Sequence, residues 1–191
     1  MNYSPKALFP GILIGILALV FLTGMIDSPG RVNASTPDVS QHNGQSGAPN
    51  GSAECSLPGS YPEQVRQWCG LIEEYADQQG IEARLLAALM LQESGGNPQA
   101  YSKDGAVGLL QVMPRDGIAA GFTCPNGPCF AGRPSMDELF DPEYNISYGS
   151  SMLAGLINKY GNVREALKAY GPMNVGYYYA DIVLGIYEGY R

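Results

Sequence analysis

The sequence predicts one mainly α globular domain over residues 54–191 with a minimal β-hairpin lobe, and three observations predict it. Apolar residues recur at helical spacing in five segments between Ser60 and Glu188. Glycines at 80, 95 and 161 stand where three of those segments should stop. Over residues 97–135 glycine and proline are dense and the helical period fades, which leaves an irregular lobe with a short hairpin beside the helices. A groove between the lobe and the helices would hold a polymer.

Taken in order, the chain begins unlike the rest of itself. Residues 7–26 are apolar throughout, interrupted only by Pro10, three glycines and Thr23. A helix of that length is roughly 30 Å long, enough to cross a bilayer. Lys6 before the segment and Asp27 after it place the N-terminus in the cytoplasm and the remainder outside. Val32-Asn33-Ala34 before Ser35 offers small residues suited to a signal peptidase, so residues 1–26 read as a signal peptide or an N-terminal membrane anchor. Residues 27–53 are Ser, Gly, Asn, Pro and Gln with few large apolar side chains, which cannot bury a core and read as a disordered linker.

Ser60-Tyr61-Pro62-Glu63 reads as a capping box with proline near the first helical position. It opens a helix that carries Val65, Trp68, Ile72, Tyr75 and Ala76 on one face as far as Gly80. A second helix runs from about residue 82 to 93. Asp141-Pro142 starts a long third one with Ile146, Met152, Leu153, Leu156, Ile157 and Tyr160 on one side, closed by Gly161. Asn162 and Glu165 cap a short fourth helix to Tyr170. A last helix over about 176–188 turns Tyr179, Ile182, Val183, Ile186 and Tyr187 inward.

The chemistry gathers at Glu93, which an apolar helix delivers to the break Ser94-Gly95-Gly96. A second negative charge near the negative end of a helix dipole is disfavoured, and apolar neighbours disfavour the carboxylate further. Both effects keep the carboxyl protonated near neutral pH. Such a group suits glycosidic cleavage, whose leaving oxygen must gain a proton. A formal net charge of −7 excludes the basic patch that nucleic-acid binding needs. The only histidine, His42, lies in the linker, which removes Ser-His and Cys-His nucleophile pairs and histidine-ligated metals from the domain.

Cys55, Cys69, Cys124 and Cys129 are an even number in a domain expected to be exported, which favours disulfides. The turn sequence Cys124-Pro125-Asn126-Gly127-Pro128-Cys129 favours the local pairings 55–69 and 124–129. The alternative, a four-cysteine zinc site, lacks the short spacing of a zinc knuckle.

Glu93-Ser94, Ala100-Tyr101-Ser102, the run from Gly105 to Pro114, Asn145-Ile146 and Ala169-Tyr170 occur in an order and at intervals that resemble the soluble lytic transglycosylase domain over roughly residues 64–190. The resemblance implies a lysozyme-like fold that cleaves the β-1,4 bond between N-acetylmuramic acid and N-acetylglucosamine in peptidoglycan glycan strands, leaving 1,6-anhydromuramoyl ends without hydrolysis and using no metal or cofactor; the alternatives are a hydrolytic muramidase on the same fold and a non-catalytic wall-binding module. The N-terminal segment already places the domain outside the cytoplasm, in the cell wall or periplasm. By this correspondence Glu93 is the acid and then the base. Ser102, Gln111, Met113 and Tyr170 are substrate-binding, with Gln111 on an acetamido group. Ordinary glycosidases need a second carboxylate. Asp104, in a turn, reads as solvated, and Asp116, after Pro114, as a helix cap. The chain departs from the family after Tyr170, where Asn-Ala-Gly is common and Gly171-Pro172-Met173 stands instead. Among the clustered C-terminal tyrosines, Tyr178 and Tyr179 are candidate sugar contacts, although core packing is the stronger expectation for such residues.

Overall fold

Leu85 to Met90 are buried without a break, so the helix they form has no polar face along its middle and must be surrounded on all sides. The computed structural model describes residues 55–191. The signal peptide or anchor expected over 1–26 and the linker expected over 27–53 lie outside the described residues. The described residues belong to a single compact unit.

The buried helix is α3 (Ala83–Ser94), and α1 (Glu63–Arg66), α2 (Cys69–Gln79) and α7 (Tyr178–Gly189) pack against it. An outer layer of α5 (Pro142–Tyr160) and α6 (Val163–Tyr170) closes the assembly, α5 against α2 and α6 against α7. The stops fall where glycine permits a left-handed residue, at Gly80, Gly95 and Gly161. Asp141 caps α5 by accepting from the Tyr144 N–H, and Asn162 caps α6 by accepting from the Arg164 and Glu165 N–H groups.

Three local expectations give way to longer-range forces. The first helix is broken in two, and its Ser60 box does not form, because Pro62 itself occupies the N-cap with an extended ψ of 144° and no side chain caps the helix. The break at Gln67–Trp68 coincides with a tertiary bond, Trp68 Nε1 donating to the Gly96 carbonyl at 2.9 Å. Tyr160, expected inward, is 44 % exposed because it stands on the last turn of α5.

The irregular lobe is held by small devices. A 3-10 turn spans Gly117–Gly121, and β1 (Thr123–Cys124) pairs antiparallel with β2 (Gly127–Pro128) to give the expected minimal hairpin. A short α4 (Met136–Leu139) follows, missed in the sequence although Ser135 and Glu138 form a complete capping box around its start. Asp116 stands before the 3-10 turn but does not cap it; its carboxylate accepts from the Met136 N–H and braces α4. The cysteines pair as Cys55–Cys69 and Cys124–Cys129, which uses all four.

Candidate active site

Glu93 lies on the last turn of α3, partly buried, and its side chain turns into a cavity of about 280 Å³. The cavity is lined by Glu93, Ser102, Gln111, Met113 and Tyr170, which brings together all five residues singled out in the sequence. Asp104, Ala106, Gly171 and Pro172 complete its wall. Three stretches distant in sequence therefore meet here: the end of α3, the loop over 102–113, and the end of α6.

The loop is locked from behind by one buried amide. Asn145 on α5 accepts from the Leu110 N–H at 2.8 Å and donates to the Val107 and Leu139 carbonyls at 2.9 and 2.8 Å. All of its hydrogen-bonding capacity but one acceptor site is thereby used without water. Gly108 makes the approach possible. Its φ is 76°, and a Cβ there would stand 2.3 Å from the Asn145 amide nitrogen. Gly105 is likewise packed against protein, where a Cβ would stand 2.9 Å from the Ala119 backbone nitrogen. Ser94 ties the other side, donating from Oγ to the Leu109 carbonyl at 2.8 Å.

Within the cavity each polar group is partly committed. Ser102 Oγ accepts from the Ala106 N–H at 2.9 Å, which leaves its own proton to donate. Gln111 sits in the left-handed region at φ 46°, and its Nε2 donates to the Ala100 and Gly108 carbonyls at 3.2 and 3.1 Å. With both amide protons spent, its side-chain carbonyl is the group left to accept. The Tyr170 hydroxyl donates to the Leu110 carbonyl at 2.8 Å, so its proton is spent and only its oxygen is left to accept.

Burial pushes the Glu93 carboxyl up to about 7, against the opposing pull of a hydrogen bond from Tyr179. The Tyr179 hydroxyl donates to Glu93 Oε1, and burial, the Glu93 charge and that bond together hold the phenol well above its ordinary range. The sequence named Tyr179 as core or as a sugar contact, but not as the partner of Glu93. Its helical register pointed inward, which the 6 % exposure bears out, but nothing local reveals a partner 86 positions away. Tyr178, by contrast, is 71 % exposed and does not line the cavity.

The departure after Tyr170 has a steric counterpart. A Cβ on Gly171 would stand 2.3 Å from Cδ1 of the Tyr179 ring. A side chain at this position and the observed seat of Tyr179 exclude one another.

The sequence model described as Transglycosylase SLT domain matches residues 70–177. The chain belongs to this family. It is 38% identical over 96 residues to the endo-type membrane-bound lytic murein transglycosylase A of Klebsiella pneumoniae, covering 50% of this chain and 46% of the relative. It is 33% identical over 101 residues to the membrane-bound lytic murein transglycosylase E of Buchnera aphidicola, covering 53% and 44%. The chain thus spans less than half the length of these curated relatives. The solved 70 kDa soluble lytic transglycosylase of Escherichia coli is 30% identical, with a TM-score of 0.41 over 63% of this chain and 18% of that one.

Proposed function

We propose that the domain cleaves the β-1,4 bond between N-acetylmuramic acid and N-acetylglucosamine in peptidoglycan without consuming water. The observation that carries this reading is Glu93, a carboxyl that burial raises to about 7 in a cavity it shares with Ser102, Gln111 and Met113, groups that suit sugars. Protonated Glu93 gives its proton to the glycosidic oxygen as the bond to muramic C1 breaks. The resulting carboxylate then takes the proton of the muramic C6 hydroxyl as that oxygen closes onto C1. The acid is regenerated, and the products are a free N-acetylglucosamine 4-hydroxyl end and a 1,6-anhydromuramoyl end. The Gln111 carbonyl accepts from an acetamido N–H, Ser102 donates to a sugar oxygen, and Met113 and the Tyr170 ring supply apolar wall.

Family membership and the names of the relatives support this reaction. The apolar run over 7–26, together with relatives named membrane-bound, supports action outside the cytoplasm with that run as signal or anchor.

One observation favours a second reading. Asp104, on an exposed turn, also lines the cavity, and a hydrolytic muramidase would use it to activate water. Asp116 does not line it. Mass spectrometry of muropeptides released by the full-length chain separates the two. Products one water lighter than reducing muropeptides and inert to borohydride are expected. Reducible products, lost in Asp104→Asn, would establish the hydrolase instead.

A further inference from the structure

Behind Tyr170 lies a second cavity of about 240 Å³, formed by Met152, Gly155 and Leu156 of α5, Ala169 and Tyr170 of α6, and Arg133 from the irregular lobe. Tyr170 is the residue that lines both cavities.

Arg133 is the polar feature that asks for a ligand. Its neighbour in the lobe, Arg115, is spent, with Nη1 on the Glu138 carboxylate and on the Arg133 carbonyl. The Arg133 guanidinium forms no ion pair among the described residues. Its nearest partners are the Met152 sulfur, 2.9 Å from Nη1, and the face of Phe130, 5.6 Å from Cζ. These contacts hold the planar fork in place without neutralising it, in a domain rich in carboxylates. The rest of the wall is apolar, apart from a Tyr170 hydroxyl already committed to Leu110. A sugar would meet few complementary groups there. A carboxylate on a short aliphatic branch would meet a fork that matches it, over methyl and methylene surface.

We propose that the Arg133 cavity binds a carboxylate of the peptide stem carried by muramic acid, so that stem-bearing strands are preferred over bare ones. The inference rests on the reading of the Glu93 cavity as a peptidoglycan-cleaving site.

The test compares the full-length chain and its Arg133→Gln variant on two substrates: glycan strands with their peptide stems, and the same strands stripped of stems by an amidase. Arg133→Gln should lose about tenfold in kcat/KM on stem-bearing strands, the worth of one charge-assisted hydrogen bond, mainly through KM. On bare strands it should match the parent chain, which also shows that the variant folds. Arg133→Lys should recover part of the loss. An equal loss on both substrates, or none on stem-bearing strands, overturns the inference while leaving the proposed reaction intact. A parent chain that cleaves neither substrate overturns the reaction itself, and the inference with it.

Discussion

The hydroxyl of Tyr179 donates a hydrogen bond to Oε1 of Glu93, joining α7 to the last turn of α3. Two opposing effects meet at this carboxyl. Burial favours the protonated form, the bond favours the carboxylate, and burial wins. The bond also engages one oxygen, Oε1, and in the proposed reaction the other would carry the proton.

Tyr179→Phe removes the effect that lowers the Glu93 pKa, so that pKa should rise. Activity requires the protonated acid, and the alkaline limb of the pH–kcat profile should therefore move upward. Loss of orientation should at the same time lower kcat by about tenfold. An alkaline limb that stays put or moves down would show that the bond does not act on the reacting proton.

Glu93→Gln should reduce lysis by about 1,000-fold or more, and it should also change stability in a way that depends on pH. The folded pKa lies above the ordinary 4.5, so the native state holds this proton more tightly than the unfolded chain does. The resulting stability is fully present below about pH 4.5 and is lost as pH rises through 7. Above that the buried charge costs about 2–3 kcal/mol once partial exposure is allowed for. The glutamine variant escapes this cost. Its Tm should match the parent chain at pH 4 and exceed it by roughly 5 °C at pH 8 in thermal scans.

Gly171→Asn places the side chain common in the family where the Tyr179 ring now sits. The ring must move, and the Glu93 bond should go with it. We expect the same upward shift of the alkaline limb as in Tyr179→Phe, and little further effect when the two substitutions are combined. Full additivity would mean that Gly171 acts elsewhere.

Asn145→Ala strands the Leu110 N–H and the Val107 and Leu139 carbonyls in the interior. Urea unfolding should show a loss of about 3 kcal/mol or more. Leu110 also receives the Tyr170 hydroxyl, so residual activity should fall further than stability alone explains.

The sequence revealed what local rules control. Period and glycine stops located α3, α5, α6 and α7, and the position of Glu93 at an apolar helix end pointed to its raised pKa before any geometry. What escaped was set across the chain. Trp68 reaches Gly96 and splits a helix that spacing alone would continue. Pro62 takes the cap that Ser60 was expected to hold. The α4 box was readable at Ser135 and Glu138, yet four residues of helix are too few for a period to register in a proline- and glycine-rich stretch. Tyr179 and Arg133 matter through neighbours that only the folded chain supplies.

The hairpin of the irregular lobe has one more consequence. Exposed loop tips rich in small residues are where peptidases usually nick a domain, and a peptidase cleft takes its target as an extended strand. The Cys124–Cys129 bridge holds its two Cα atoms 5.0 Å apart, whereas the same stretch drawn out would span about 17 Å. This exposed turn of the lobe is thus one that cannot be straightened for cutting while the ring is closed.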